Sequence, residues 1–387
     1  MTRKTRWFVL VVSTPLVALV TIGGIIGTPR GAAPQSNGHL RVFEDVLRLV
    51  LNVYVEDVNV DRVMDGAMHG LTDGLDTSSA FLQPDEVRAI ESKAPMPAGD
   101  IGLVVTRQFY LRVLGVRDGS PAARAGLQTG DYVRMIDGKP TRDMSGVTGM
   151  RLFRGQPGSK VSITVIRGNT ADPHNFDLVR EALNGEVVRT SMVDGVARVR
   201  VSSFGAGTAA ALTAAFDTLG KSKTPGAVLD LRGVADGTPE DGIKAARLFV
   251  KTGTLAVLAS RAPEPVKTAA AAGDGAIVLP VVLLVSNGTA NAAEVFAAAL
   301  AGNGRADLVG EPTAGVAAVQ KLVKLPEAYG LWLTYERYMT VDGAQPIHER
   351  GLPPKVAIQN PVIGFDELPP ATDGPLAKAV EYLKAKK

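Results

Sequence analysis

The second half of the chain alternates short apolar runs with longer segments whose apolar residues recur at helical spacing. Short apolar runs are typical of buried strands, and the longer periodic segments are typical of helices packed on one face. The pattern predicts strands at 196–201, 227–231 and 277–285, and helices at 208–219, at 240–250 and directly after residue 291. Alternating strands and helices form βαβ units, so we expect a central sheet covered by helices.

The region from His39 to about residue 95 has a different pattern, because its apolar residues recur at helical spacing. Its apolar residues lie three or four positions apart, as on one face of a helix. They are Leu40, Phe43, Val46, Leu47, Val50, Leu51, Val63, Met64, Met68 and Leu71. We therefore expect an N-terminal helical region over 39–95. A last helix is predicted around 376–384, within a C-terminal tail at 361–387.

A basic cluster followed by an apolar run opens the chain. Arg3, Lys4 and Arg6 precede an uncharged stretch at 7–27. A run of about 20 apolar residues can span a bilayer, whereas a cleaved signal peptide has an apolar core of ~7–15. We expect an inner-membrane anchor within 1–30, and the alternative is a signal peptide cut near Ala32 or Ala33. The basic flank predicts that the remainder faces the periplasm or the cell exterior.

Composition excludes several classes of function. The 42 Lys and Arg residues exceed the 39 Asp and Glu residues by only three, and aromatic residues make up 5% of the chain. A nucleic-acid-binding protein would have a basic stripe with stacking aromatics, so no nucleic acid is expected as a partner. The absence of cysteine rules out disulfides and thiol catalysis. Four scattered histidines without an HExxH motif predict no metal, and we expect no cofactor.

The segment 97–169 resembles a bacterial PDZ domain. The resemblance rests on the pattern S-P-A-x-x-A-G-L-x-x-G-D-x-x-x-x-I-D-G, which begins at Ser120 and ends at Gly138. PDZ domains bind an extended peptide as an added strand and hold its terminal carboxylate on backbone N–H groups. The resemblance thus implies that the partners are peptide or protein C-termini. A PDZ domain that only packs against the rest of the chain is the alternative.

The PDZ resemblance also implies which residues bind the peptide. The carboxylate loop would be Ile101, Gly102 and Leu103, and a helix at 145–152 would form the other wall of the groove. Val147 and Arg151 are the candidate wall residues. Asp100 places a negative charge beside the carboxylate site, which is unfavourable unless Arg124 or Arg151 offsets it.

The segment 289–320 reads TANAAEVFAAALAGNGRADLVGEPTAGVAAVQ and resembles the C-terminal processing peptidases. Their nucleophile segment runs [ST]-A-S-A-S-E, followed by an alanine-rich helix and R-A-x-x-x-G-E-x-T-x-G-K-x-x-x-Q. The resemblance implies a serine/lysine dyad, with Asn291 at the serine position, Val316 at the lysine position and Gln320 at an auxiliary position. An asparagine amide does not form an acyl-enzyme by the usual route, and a valine cannot accept a proton. We therefore predict that the site is inactive.

A second loop also departs from the family pattern. After the buried strand, the relatives carry D-L-R-N-N-P-G-G, whereas this chain continues from Arg232 with Gly233, Val234, Ala235, Asp236 and Gly237. A carboxylate at Asp236 has the wrong sign to stand beside a developing oxyanion. The resemblance resumes in a closing segment from Tyr338 to Leu352, so a peptidase-like core is expected over 180–360.

These observations predict an α/β (α+β multidomain) protein with an N-terminal helical region, a PDZ domain and a βαβ-type peptidase core. The expected function is that of an envelope-facing pseudopeptidase that binds peptides or proteins. One alternative is an active endopeptidase that cleaves near C-termini with a displaced dyad, drawn from Ser286 or Thr289 and Lys321 or Lys324. The other alternative is a structural subunit that assembles with an active paralogue.

Overall fold

A computed structural model describes residues 34–92, 94–168, 172–365 and 367–386. The membrane anchor predicted within 1–30 lies outside these residues. Among the residues described, no helix combines the length and the apolar character needed to cross a bilayer.

The described residues divide into two compact units, and the division lies within a helix, between Ala67 and Met68. The first unit holds helix α1 (Pro34–Val53) and the start of helix α2 (Val60–Asp73). Helix α1 begins upstream of the predicted start at 39, and its apolar residues Leu40, Val46 and Leu49 are exposed. The periodicity therefore predicted the helices correctly, while the apolar face of α1 is not buried.

The second unit opens with two short elements and the PDZ region. Strand β1 (Ala80–Leu82) and helix α3 (Pro84–Glu91) come first. The PDZ elements that follow are β2 (Gly99–Asp100), β3 (Leu103–Gln108), β4 (Tyr110–Val116), α4 (Pro121–Arg124), β5 (Tyr132–Ile136), β6 (Lys139–Pro140), α5 (Gly146–Phe153), β7 (Lys160–Ile166), β8 (His174–Val179) and β9 (Glu181–Ala182). The main strand order is β3-β4-β5-β7-β8, so β3 lies at an edge of its sheet.

The core region supplies the remaining elements. They are β10 (Val188–Val193), β11 (Val196–Val201), α6 (Thr208–Gly220), β12 (Ala227–Asp230), α7 (Pro239–Arg247), β13 (Thr254–Ala259), β14 (Val266–Ala269), β15 (Val281–Val285), α8 (Ala292–Gly302), β16 (Ala306–Gly310), β17 (Ala318–Lys324), a 3-10 turn (Pro326–Ala328), β18 (Gly330–Met339), β19 (Val356–Ala357) and α9 (Gly374–Ala385). The central sheet has the order β10-β11-β12-β15-β16-β19, and every pairing except β10 with β11 is parallel.

Both faces of this central sheet are covered by apolar helix surfaces. On one face Phe216, Phe249 and Phe296 pack together with alternate strand residues such as Leu229 and Leu283. On the other face Leu376, Val380 and Leu383 of α9 pack against the intervening strand residues. Strands that are buried on both faces read as continuous apolar runs, which is why the pattern identified them. The predicted α/β multidomain architecture is confirmed.

A second, antiparallel sheet joins the start of the second unit to the core. Its order is β1-β18-β13-β14, and β17 also pairs with β18. Strand β1 pairs with β18 from Ala80 opposite Trp332 to Leu82 opposite Gly330. The pairing of β1 with β18 therefore attaches the segment that precedes the PDZ region to the core.

The PDZ sheet and the core are packed closely at two glycines. A Cβ atom at Gly115 of β4 would lie 2.6 Å from the carbonyl oxygen of Gly233, and one at Gly288 would lie 2.2 Å from that of Leu114. Nearby, Asp118 pairs with Arg200 at 2.9 Å. Only glycine fits such close backbone approaches, so these two positions determine how near β4 comes to the core loops.

Candidate functional site

Three loops of the core meet at the carboxyl ends of the central parallel strands. They follow β12, β15 and β16, and they contain Asp236, Asn291 and Val316 respectively. In open α/β sheets, ligands bind in the crevice beyond the carboxyl ends of the strands. The structure therefore brings together three segments that the sequence pattern had singled out separately.

Asn291 occupies the N-cap of α8 in an unusual backbone conformation. Its φ is 50° and its ψ is −115°, a combination that non-glycine residues rarely adopt and that costs about 1–3 kcal/mol. Its side-chain amide donates a hydrogen bond to the carbonyl oxygen of Gly237 at 2.7 Å. Asn291 is thus held on a sharp strand-to-helix turn, the kind of turn that exposes a nucleophile in serine hydrolases.

The buried carboxylate of Glu294 ties this turn to the loop after β16. Its Oε2 accepts from the N–H groups of Asn291 at 3.1 Å and Val316 at 2.8 Å. Its Oε1 accepts from Thr313 Oγ1 and the N–H of Gly315, both at 2.6 Å. Burial raises the pKa of the Glu294 carboxyl, and these four donors oppose that rise. We call this arrangement the Glu294 clamp.

Val316 contributes its backbone N–H to the Glu294 clamp and its side chain to an apolar cluster. The cluster contains Leu114 of the PDZ region, together with Ala235 and Ala290 of the core. A valine suits this apolar cluster, and it offers no lone pair for proton transfer. The structure thus places an apolar contact where the family pattern has a lysine.

One cavity joins these core positions to the PDZ groove. Its volume is about 370 Å³, and its walls include Asn291, Val316 and Gln320 on the core side. Gln320 lies on β17, beside a register irregularity between Val319 and Gln320. The three positions inferred from the peptidase resemblance therefore face the same space.

Asp236 also borders this cavity. Its Oδ2 accepts a hydrogen bond from Ser203 Oγ at 2.6 Å, and burial raises the pKa of its carboxyl. Ser203 is a partner that the sequence analysis did not identify, because it lies 33 positions upstream and no local pattern links it to Asp236. The pair places a carboxyl group in the wall of the cavity that Asn291 also lines.

The residues considered for a displaced dyad have other contacts. Ser286 Oγ accepts from the N–H of Gly233 at 3.1 Å, and Thr289 Oγ1 donates to the carbonyl oxygen of Leu231 at 2.9 Å. Lys324 pairs with Glu91 at 2.6 Å, and the ammonium of Lys321 lies over the ring of Tyr335. Since each hydroxyl bonds to backbone and each ammonium contacts another side chain, this geometry favours no serine/lysine pair among them.

The PDZ side of the cavity includes the predicted carboxylate loop. Gly102, Leu103 and Val147 line it, and Ile101 is buried beneath. Gly102 has a φ of +82°, and a Cβ atom there would lie 2.3 Å from Ser120 Cβ. Because β3 is an edge strand, its outer side is open to an added peptide strand.

Two of the predicted arginine roles differ from the observed contacts. Arg151 donates to the carbonyl oxygen of Ala89 and does not line the cavity, and Arg124 pairs with Glu181 at 2.6 Å. Asp100 is instead paired with Arg154, whose Nε lies 3.1 Å from Asp100 Oδ2. Arg154 lies one residue beyond the end of α5 and lines the cavity together with Val147 and Met150 of that helix, but no sequence pattern identified it.

The comparisons with known proteins agree with this arrangement. The model of peptidase family S41 matches residues 195–358, and that of the PDZ domain matches residues 112–167. The chain is 32% identical over 311 residues to a carboxyl-terminal-processing protease of Synechocystis, which covers 78% of this chain and 72% of that protein. It is 28% identical over 370 residues to the carboxy-terminal processing protease CtpA of Bacillus subtilis, covering 93% and 78% of the two chains.

Among solved structures, the photosystem II D1 C-terminal processing protease superimposes with a TM-score of 0.66. The two chains are 25% identical, and the match covers 84% of this chain and 94% of that one. A PDZ domain set against an S41-type core defines the class of protein. The chain belongs to the C-terminal processing protease family, peptidase family S41, and carries the PDZ domain of that family.

Proposed function

We propose that this chain is a pseudopeptidase that binds peptide or protein C-termini in its PDZ groove and does not hydrolyse them efficiently. The observation that carries the proposal is the pair Asn291 and Val316, which line one cavity at the positions of the family's nucleophile and base. A serine hydroxyl attacks only when a neighbouring base takes its proton, and this chain has neither group there. Residues that act as a catalytic unit fail together, so the loss of both leaves no efficient route to hydrolysis.

The surroundings of the two positions support the same proposal. Asp236 brings a carboxyl group to the cavity, while oxyanion stabilisation requires donors aimed at developing negative charge. The Glu294 clamp meanwhile keeps the architecture of the site. A cavity that keeps its shape but lacks a nucleophile and a base can bind a peptide without cleaving it.

The binding half of the proposal rests on the PDZ side of the cavity. The edge strand β3 offers backbone groups to an extended peptide, and Ile101, Gly102 and Leu103 form the turn at its start. Val147 supplies an apolar wall for the last side chains of the peptide. Free C-termini with apolar residues fit this combination, because the groove offers apolar contacts next to backbone donors.

We further propose that the protein is held at the membrane by its N-terminal segment, with the domains described above facing the periplasm or the cell exterior. This rests on the basic flank at Arg3, Lys4 and Arg6 and on the uncharged run at 7–27. Alkaline extraction of membranes would test it, since an anchored chain stays in the membrane pellet and a cleaved one is released.

One experiment tests activity and binding on the same sample. The full chain is incubated with a fluorophosphonate probe and with a fluorescein-labelled, alanine-rich peptide that ends in valine. We expect no covalent labelling and no cleavage, together with a rise in fluorescence anisotropy when the peptide binds. Amidating the peptide should abolish that rise, because amidation removes the charge that the backbone donors would hold.

Two outcomes would contradict the proposal. Cleavage that persists in the purified chain and disappears in Ser286→Ala or Thr289→Ala would establish an active enzyme with a displaced dyad. Equal binding of free and amidated peptides, or none of either, would mean that the PDZ groove does not receive C-termini. Asn291→Ala serves as the control for contaminating protease, since it cannot alter cleavage by another enzyme.

A further inference from the structure

The carboxylate loop of the PDZ groove already holds a carboxylate from its own chain. Asp100 Oδ1 accepts a hydrogen bond from the N–H of Gly102 at 2.8 Å. Gly102 is the central residue of the loop that would receive a peptide terminus, and both Asp100 and Gly102 line the cavity. The side chain of Asp100 thus occupies a donor that the proposed ligand needs.

A backbone N–H has one hydrogen and forms one strong hydrogen bond. Asp100 and a peptide carboxylate therefore cannot both hold Gly102 at full strength. Their charges also repel each other at short range, which weakens binding further unless a cation offsets one of them. The two carboxylates are competitors for the same position.

Arg154 is placed to keep the carboxylate of Asp100 paired after a peptide displaces it from Gly102. Its Nε lies 3.1 Å from Asp100 Oδ2, its side chain is 46% exposed, and it lines the same cavity. A guanidinium presents five N–H donors, so it can pair with Asp100 and a second carboxylate together. Asp100 can turn away from Gly102 without losing its charge partner.

We propose that Asp100 is a built-in competitor for the terminal carboxylate, so that a peptide binds only by displacing Asp100 from Gly102 while Arg154 retains it. This inference rests on the proposed function, because it concerns the same groove. Asp100 thereby weakens binding of free C-termini. Such a groove selects for C-termini whose apolar side chains add enough contact to offset the competition.

A purely structural role for Asp100 makes the opposite prediction. If the bond to Gly102 only braced the loop, removing it would loosen the loop and weaken peptide binding. Asp100→Asn separates the two roles, since the amide oxygen can still accept from Gly102 but the negative charge is gone. Asp100→Ala removes the charge and the hydrogen bond together.

The test uses the full chain and fluorescence anisotropy with the fluorescein-labelled, alanine-rich peptide ending in valine, free or amidated. Asp100→Ala should bind the free peptide about tenfold more tightly than the natural chain, as expected for one hydrogen bond to a charged group. Asp100→Asn should lie between the two. Arg154→Ala should bind the free peptide several-fold more weakly, because the charge of Asp100 then lacks its partner.

Glu181→Gln is the matched control. Glu181 lies opposite Asp100 in the pairing of β2 with β9, it pairs with Arg124, and it does not line the cavity. The substitution removes the same charge from the same part of the surface. Its affinity for the free peptide should stay within about twofold of the natural chain, since exposed ion pairs contribute little.

Each result decides between the two proposals. If the natural chain binds the free peptide and neither Asp100 variant binds it more tightly, the competitor role is overturned while the proposed function stands. If Asp100→Ala fails to fold, as judged by its circular dichroism spectrum, Asp100→Asn decides the question. If neither the natural chain nor any variant binds the free peptide, the proposed function fails, and this inference fails with it.

Discussion

At the scale of single residues, Asn291 has structural roles of its own at the start of α8. Its backbone has a φ of 50° and a ψ of −115°, on a strained strand-to-helix turn like the one that holds the nucleophile in serine hydrolases. Its amide also donates to Gly237, which links the helix start to the loop after β12. A return to serine therefore removes one hydrogen bond, at a cost of about 1 kcal/mol.

The double variant Asn291→Ser with Val316→Lys tests whether chemistry can be restored. We expect a folded protein that reacts with a fluorophosphonate probe, because the apolar cluster around residue 316 would lower the pKa of a lysine and make it a base near neutral pH. Its turnover should stay low while Asp236 remains. Adding Asp236→Gly should raise the hydrolysis rate on the order of tenfold or more, since it removes a carboxyl group from the cavity in which the oxyanion would form.

The single variants Asn291→Ser and Val316→Lys are the controls, and neither should hydrolyse peptide. A double variant with rates unchanged by Asp236→Gly would show that this carboxyl group does not oppose catalysis.

At the scale of elements, the Glu294 clamp joins helix α8 to the loop between β16 and β17. One carboxylate accepts from four donors, three of which are backbone N–H groups. In Glu294→Gln the side-chain amide nitrogen would face two of those donors and leave them without an acceptor. Each unsatisfied buried donor costs about 1–3 kcal/mol.

We therefore expect Glu294→Gln to lower the free energy of unfolding by about 2–5 kcal/mol, as measured by urea denaturation. The exposed Glu264→Gln is the charge-matched control and should change it by less than about 0.5 kcal/mol. A Glu294→Gln variant as stable as that control would mean that the clamp contributes nothing to stability.

The elements that could be predicted from the sequence are those with a clear apolar pattern. The strand predicted at 196–201 matches β11, in which buried valines alternate with the partly exposed Arg198 and Arg200. The strand predicted at 277–285 begins only at Val281, after Pro280, which has no N–H for the ladder. The role of α9 could not be predicted, since an amphipathic helix does not reveal which sheet face it covers.

The candidate site was predictable in its core half because the family pattern fixes residue positions there. Asn291, Val316 and Gln320 line one cavity, as their spacing within the pattern suggested. The contacts of Asp100 and Arg154 were not predictable, because an ion pair between a strand residue and a residue that follows a distant helix has no signature in spacing. Long-range pairs such as Ser203 with Asp236 could not be predicted from the sequence for the same reason.

At the scale of the whole molecule, arginines and aspartates join the PDZ region, the core and the C-terminal helix. Asp230 is buried beneath Arg198, Arg200 and Arg232. Arg200 also pairs with Asp118 of the PDZ region, and Arg232 pairs with Asp373 beside α9. Burial raises the pKa values of these three carboxyls, but the arginines lower them by more, so each lies below its usual range.

A carboxyl with a depressed pKa in the folded state stabilises the fold above its unfolded pKa of about 4, and that contribution is lost as the pH falls through the folded value. We expect the free energy of unfolding to fall steeply below about pH 4, as followed by urea denaturation at decreasing pH. Asp118→Asn should lower stability at neutral pH and flatten this acid dependence. The exposed Asp217→Asn should change neither, and equal acid profiles for the two variants would contradict the assignment.

The Glu294 clamp has a consequence for inheritance. It holds the loop through the main-chain N–H groups of Gly315 and Val316, which almost any residue at position 316 would supply. Mutation there can erase a lysine without disturbing the fold, so natural selection acting on folding alone does not preserve the base. If the proposed function holds, the same clamp allows a chain to lose peptide cleavage and retain peptide binding through few substitutions.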